Sequence, residues 1–555
     1  MWTTTAATAL LFILTTAHNT QARKVCESCK FVDRPIGNKE ILPYGIQMVV
    51  GPGGNGPGPT SLLKTDILVC VLDTGIYTAH PDLKGNKFSG CDAHADSKYC
   101  KKHPYNKPTD LHGTHVTGTI AAMRAKQGGV VGVIPAGSSI YGMDVLPSNG
   151  TGSMSVVIQG LVGCEAQIKA KIKQGKRAKA VVNMSFGAAS KSNALEKVLA
   201  RLASRGDMLF MAASGNDQVS DPGKPRYPAS FDTTMSVGAV DCNELPAPFS
   251  QQNSEVDIAG PGVDILSTIS PEKLIEPLLT TVIKKKKTRY DTTTLTGSGS
   301  GVVKGPLVDC QSGFKVCPNA KGKICLIARG KNTFACKTRN AQLGGCVGVV
   351  IYNNERPLCK ELTAATLIEP TCTHVGKAFP PVVAINQADG LKLKAALKGK
   401  GGVNATVAVV KTKKTELYKE ESGTSMATPH VTGVASRLWG AFPNCTADDL
   451  RDALQVGATD IAPAGRDKVT GYGVVNLRRS YAVLASRPCG GAPPSVSPSP
   501  PPPPAPAPLP SPVPAPSPEI SPEPAASPSP SLPPPELSSP DPTASPQSIG
   551  TAAVS

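Results

Sequence analysis

From about residue 66 the chain alternates short apolar runs with helical stretches. Ile67–Leu72 (ILVCVL) is continuous, rich in β-branched residues and free of charge, the signature of a strand buried on both faces. Val131–Ile134, Ala180–Asn183 and Met208–Ala213 repeat that signature. Between them, Ser153–Gln174 and Ala194–Ser204 read as helices. Strand and helix in alternation predict an α/β fold, a parallel sheet with helices on both faces, whose ligands bind beyond the C-terminal strand ends. Residues 271–289 break the pattern. Residues 290–417 are rich in Val, Thr, Gly and Lys and carry seven cysteines from Cys310 to Cys372, so a separate β-rich insert is expected there. Helical patterning returns at Ser425–Trp439 and Ala447–Val456, the second behind Thr446 with Asp448 and Asp449 in its first turn. Residues 490–555 are Pro/Ser/Ala-rich; they cannot bury a core and are expected to be extended and disordered.

Composition changes that picture in two ways. Lys and Arg number 58 against 41 Asp and Glu, a formal charge of +17 in 555 residues. The chain lacks segments that combine aromatic and basic residues, so the excess reads as solvated surface suited to acidic matrix partners, not as a nucleic-acid footprint. Lys284–Lys287 reads as an exposed connecting loop. Residues 1–22 read as a secretory signal, with the apolar stretch Ala6–Thr16 too short to span a bilayer and small residues at Thr20-Gln21-Ala22 or Thr15-Thr16-Ala17 for cleavage. The 16 cysteines fit an oxidising compartment, although their connectivity stays open. Cys91 and Cys100 flank one polar loop that they would staple. Cys26 and Cys29 form a lone C-x-x-C outside any redox context, and Cys70, inside an apolar strand, is expected to be a buried free thiol. Asn149, Asn404 and Asn444 head glycosylation acceptor triplets. The C-terminus carries no apolar tail, so no membrane anchor is expected.

Four short motifs then fall at element ends. Val71-Leu72-Asp73-Thr74-Gly75 closes the first buried strand and His112-Gly113-Thr114-His115 precedes an apolar helix. Ala213-Ser214-Gly215-Asn216 closes another strand, and Gly423-Thr424-Ser425-Met426-Ala427 opens a helix. Alone, Asp73 reads as a turn aspartate, His112 or His115 as a helix cap or core histidine, and Ser425 as a helix cap. Together they supply what hydrolysis of an amide by a serine requires. An imidazole takes the hydroxyl proton, a carboxylate holds that imidazole in one tautomer, and an amide N–H meets the oxyanion.

Those motifs, with VVNMSFG, GPGVDILST and SGTSMATPHVTG, resemble the subtilisin-like serine proteases, the subtilase family, in order and spacing over residues 40–270 and 418–489. The resemblance implies a secreted endopeptidase acting on protein or peptide substrates without a cofactor or metal. It implies that Asp73 orients, His112 acts as base, Ser425 attacks and Asn216 donates to the oxyanion, while His115 is structural. Ser185-Phe186-Gly187 and Gly150-Thr151-Gly152 resemble the two extended segments that clamp substrate backbone. Asp82 matches a position that binds calcium in some relatives, but the companion loop Met123–Gly129 is basic, so that metal site is not expected. Arg226, before Tyr227-Pro228, falls near the expected floor of the specificity pocket, where it would favour acidic residues or else point to solvent. Only residues 23–39 separate the signal from peptidase-like sequence, too few for the family's prodomain. Parts of residues 290–417 resemble a protease-associated (PA) domain, which in relatives lies beside the cleft and influences substrate access. The tail resembles hydroxyproline-rich wall glycoproteins, which implies cell-wall or extracellular-matrix association. The competing reading is a catalytically silent matrix glycoprotein that uses the peptidase fold as a binding module.

Overall fold

The computed structural model describes residues 29–36, 40–90, 103–108, 110–124, 128–146, 151–219, 221–295, 297–330, 332–354, 378–399, 401–461, 463–487, 489 and 552–553. The expected signal, most of the tail, Cys26, Cys91, Cys100, Asn149 and Gly150 lie outside these residues.

Seven strands form one parallel sheet: β1 (Ile67–Asp73), β2 (Lys87–Gly90), β3 (Ser139–Asp144), β4 (Lys179–Met184), β5 (Met208–Ala213), β6 (Thr234–Val240) and β7 (Val256–Pro261). Their order is β7-β6-β5-β4-β1-β3-β2. The pleat of β1 explains why its run is apolar throughout. Ile67, Val69 and Val71 enter one core, Leu68, Cys70 and Leu72 the other, and all six are buried. The first core is completed by α1 (His112–Ala121) and α4 (Thr424–Ala441), through Val116, Ile120, Val431, Val434 and Leu438. The second is completed by α2 (Met154–Lys173) and α3 (Asn193–Ala203), through Val157, Leu161, Leu195 and Leu199. Each such side chain contributes about 1.5–3 kcal/mol by leaving water. The chain runs from β1 to β2 and β3 on one side, then crosses to β4 on the other. A crevice therefore opens between the C-terminal ends of β1 and β4.

Two expectations are corrected. Val131–Ile134 is buried but is not a sheet strand. Its amides donate back to the last turn of α1, Val133 N–H to Thr119 O and Ile134 N–H to Ile120 O, and the sheet position goes to Ser139–Asp144. Cys70 is not a free thiol: it forms a disulfide with Cys164 of α2. Further disulfides join Cys29–Cys242, Cys310–Cys317, Cys325–Cys346 and Cys445–Cys489.

Residues 271–289, where the sequence pattern lapses, are strand except for a turn at Lys284-Lys285. Ile265–Ile283 (β8) and Asn404–Glu421 (β9) pair as a long antiparallel ribbon, rooted in the peptidase body and continued into an eight-stranded sheet. Lys284 and Lys285 form the exposed turn at the end of β8. Beyond it, Phe334–Leu343 and Gln387–Leu397 are helices packed among the insert's strands. Among the described residues, no helix is long and apolar enough to cross a membrane.

Candidate active site

Asp73 is the last residue of β1, and His112 is the first of α1. They meet because Gly113 lets the helix end approach the strand end. A Cβ on Gly113 would lie 2.2 Å from Gly75 O. The imidazole Nδ1 lies 2.8 Å from Asp73 Oδ1, and since a carboxylate only accepts, Nδ1 carries the hydrogen. The lone pair of the neutral ring therefore sits on Nε2, which is buried and has no hydrogen-bond partner among the described residues. Thr74 N–H donates to Asp73 Oδ1, Thr74 Oγ1 accepts from Gly113 N–H, and Asp110 caps the His112 N–H at 2.8 Å. Burial opposes the imidazolium, but the Asp73 carboxylate outweighs it, so the His112 pKa is raised above the usual imidazole value.

Ser425 is the second residue of α4, where helix N–H groups lack internal partners. Its hydroxyl donates to Ser185 O at 2.7 Å, and Ser185 Oγ returns a bond to Ser425 O at 2.8 Å. Asn183 Nδ2 donates to Ser185 Oγ while its Oδ1 accepts from Thr432, so the end of β4 is tied to α4 on both sides. Asn216 lies three residues beyond β5. Its amide oxygen accepts from both Thr424 N–H and Thr424 Oγ1 at 2.9 Å, which fixes the NH₂ end away from Thr424. Gly215 makes the turn that brings Asn216 there, with φ +107°.

His115, the second histidine of its motif, faces neither Asp73 nor Ser425. Its Nε2 lies 2.9 Å from Ile265 O and 3.1 Å from Lys419 O, the roots of β8 and β9. Burial pushes its pKa down to about 3, so it stays neutral. Asp82 Oδ2 accepts from Val130 N–H at 2.8 Å, and the Tyr418 hydroxyl is a further side-chain partner of the carboxyl. Of the two clamp segments, Phe186 is buried and Gly187 borders the Arg226 side chain. Thr151–Gly152 pairs antiparallel with Ala552–Ala553.

Three groups escaped the sequence reading. Thr424 orients the amide, Asp110 caps the imidazole residue, and Asp144 stands beside Asp73 in the β1–β3 register with a pKa pushed up by burial to about 7. Thr424 lies within a motif already singled out. Asp144 had no signal except a charge at the end of an apolar strand.

A carboxylate–imidazole pair at the end of a parallel strand and a serine at a helix start are the parts that a serine hydrolase of the α/β type requires. The Subtilase family profile matches residues 64–301, and the PA domain profile matches residues 303–393. The chain is 37% identical over 229 residues to Subtilisin Savinase of Lederbergia lenta, covering 41% of this chain and 75% of that protein. It is also 37% identical over 229 residues to an alkaline protease of Shouchella clausii, covering 41% of this chain and 53% of that one. The crystal structure of the psychrophilic subtilisin-like protease Apa1 from Pseudoalteromonas sp. AS-11 superposes with a TM-score of 0.51 at 30% identity. That match covers 80% of this chain and 98% of Apa1. The chain belongs to the subtilase family, the subtilisin-like serine endopeptidases, and carries an inserted PA domain.

Proposed function

We propose that the protein is a secreted endopeptidase that hydrolyses peptide bonds of proteins through Asp73, His112 and Ser425, with Asn216 as oxyanion donor. The observation that carries this reading is the buried Asp73–His112 bond of 2.8 Å, which leaves Nε2 as the ring's proton acceptor. In the proposed reaction the Ser425 hydroxyl, which donates to Ser185 O in the free protein, turns to that nitrogen when substrate binds, a contact often loose beforehand. The hydroxyl oxygen then attacks the scissile carbonyl as Nε2 takes its proton. Asp73 stabilises the imidazolium, and the oxyanion accepts from the Asn216 amide and the N-terminal N–H groups of α4. Collapse passes the proton from Nε2 to the leaving amine and leaves an acyl-enzyme. Water, deprotonated by the same nitrogen, hydrolyses it and frees Ser425. Substrate backbone lies between Thr151–Gly152 and Ser185–Gly187 as an added strand.

Secretion rests on residues 1–22 and the disulfides, and action on wall or matrix proteins rests on the proline-rich tail. The boundaries proposed are the peptidase body at 40–270 and 418–489 and the insert at 290–417. The test is labelling of the secreted protein with a fluorophosphonate, alongside casein digestion. Both are expected in the wild type and lost in Ser425→Ala and His112→Ala. A folded wild type that neither labels nor digests casein favours the silent binding module instead.

A further inference from the structure

Beyond Met184 and Ala213 the neighbouring strands β4 and β5 continue into two segments, 185–188 and 214–216, that both meet the start of α4. Residues 185–188 turn to pair with Tyr227, Ala188 and Tyr227 exchanging two backbone bonds of 2.8 Å. Residues 214–216 turn the other way, held by Gly215 N–H to Thr424 Oγ1 and Gln251 N–H to Gly215 O. The first segment begins beside Ser425, whose hydroxyl donates to Ser185 O.

Arg226 packs against both segments. A Cβ on Gly215 would lie 2.7 Å from Arg226 Cγ, and one on Gly187 would lie 3.6 Å from Arg226 Cβ. The arginine stem thus lies against both glycines. Its backbone is fixed by Arg226 N–H to Ser230 Oγ and Ser230 N–H to Arg226 O. The guanidinium is fixed in turn: Nε donates to Asp217 and Nη2 to Asp221, each at 2.9 Å, and Nη1 donates to Pro225 O at 3.3 Å. The Arg226 side chain is only 8% exposed, against 41% and 46% for its two aspartates. One buried cation is therefore answered by two carboxylates, and the cluster has no positive charge to offer. An acidic ligand would have to displace partners already in place. The sequence-based expectation that Arg226 favours acidic residues fails on this geometry.

We propose that the Arg226–Asp217–Asp221 clamp is a depth stop for the side chain on the acyl side of the scissile bond, so that the enzyme accepts small uncharged residues there. Large apolar and acidic residues are excluded. The inference rests on the peptidase reading above. It is tested with tetrapeptide anilides that differ only in that residue: Ala, Phe or Glu. Each protein is first titrated with the fluorophosphonate, so absence of labelling in the wild type counts against the peptidase reading and not against the clamp. The wild type is expected to turn over Ala at least about tenfold better in kcat/KM than Phe or Glu. Arg226→Ala removes the stop and raises the Phe/Ala ratio by about tenfold or more. Arg226→Met keeps a stem of similar reach and leaves Phe excluded, which separates depth from charge. Asp217→Asn with Asp221→Asn frees the guanidinium and raises the Glu/Ala ratio. A wild type that prefers Phe or Glu to Ala overturns the proposal. So does an Arg226→Ala protein, or, where that variant does not label, an Asp217→Asn/Asp221→Asn protein, with the wild-type profile.

Discussion

At the scale of single residues the site depends on groups that hold others in place. Thr424 donates twice to the Asn216 amide oxygen, so it decides which end of that amide faces the reaction. Thr424→Val removes the hydroxyl bond and keeps the backbone one. Its kcat is expected to fall about tenfold, with KM little changed, less than the roughly 10²–10³-fold known for losing such a donor outright in subtilisin. Steady-state kinetics on a peptide anilide decide it, and an unchanged kcat would show that the backbone bond alone orients the amide. Asp144 is a different kind of neighbour. Burial, more than the nearby Asp73 charge, raises its pKa to about 7. Between pH 4 and 7 the folded protein therefore keeps a proton that the unfolded chain has released, so this group lowers stability as pH rises through that window. Asp144→Asn abolishes that dependence. Urea unfolding should find the variant gaining on the wild type by on the order of a few kcal/mol between pH 4 and pH 8. A constant difference across that range would mean Asp144 titrates normally.

At the scale of elements, the sequence was readable where one physical cause dominated. β1, β4 and β5 are buried on both faces, and their uninterrupted apolar runs say so. β3 (SIYGMD) escaped because glycine and terminal polar residues interrupt its run, although it is nearly as buried. Val131–Ile134 passed for a strand because periodicity cannot tell a buried loop from a buried strand; its amides find helix carbonyls instead. Asp73, His112, Ser425 and Asn216 stood out as candidates because their motifs join glycine to a chemical group. The orienting bonds were not, since they depend on three-dimensional approach. Cys70 shows the same limit: burial was visible, its partner 94 residues away was not. That bond links β1 to α2 across the second core. Cys70→Ala with Cys164→Ala is expected to cost about 4–5 kcal/mol in denaturant unfolding. Fluorophosphonate labelling under native conditions should persist, since neither cysteine approaches the site; a stability equal to wild type would refute the structural role.

At the scale of the whole chain, the insert enters and leaves through paired strands. Ile265 pairs with Glu421, and Asp264 N–H bonds Ser422 Oγ at 2.8 Å. The roots of that ribbon brace α1: Ser267 and Thr268 hydroxyls donate to His115 O and Thr114 O. Joining Ser270 to Glu416 through a short Gly/Ser linker keeps the roots and removes the rest. Peptide turnover should then be little changed while digestion of folded proteins shifts severalfold. Equal rates on both would reduce the insert to a spacer. The same layout has a consequence for synthesis. Helix α4, buried from Thr424 to Trp439, fills the first core, yet it leaves the ribosome only after the insert. At 5–20 residues per second, translation of the insert delays it by about 6–26 s. In the proposed trio Ser425 is thus the last member to arrive, so on that reading the nascent chain stays harmless to its neighbours until about three quarters of it has been made.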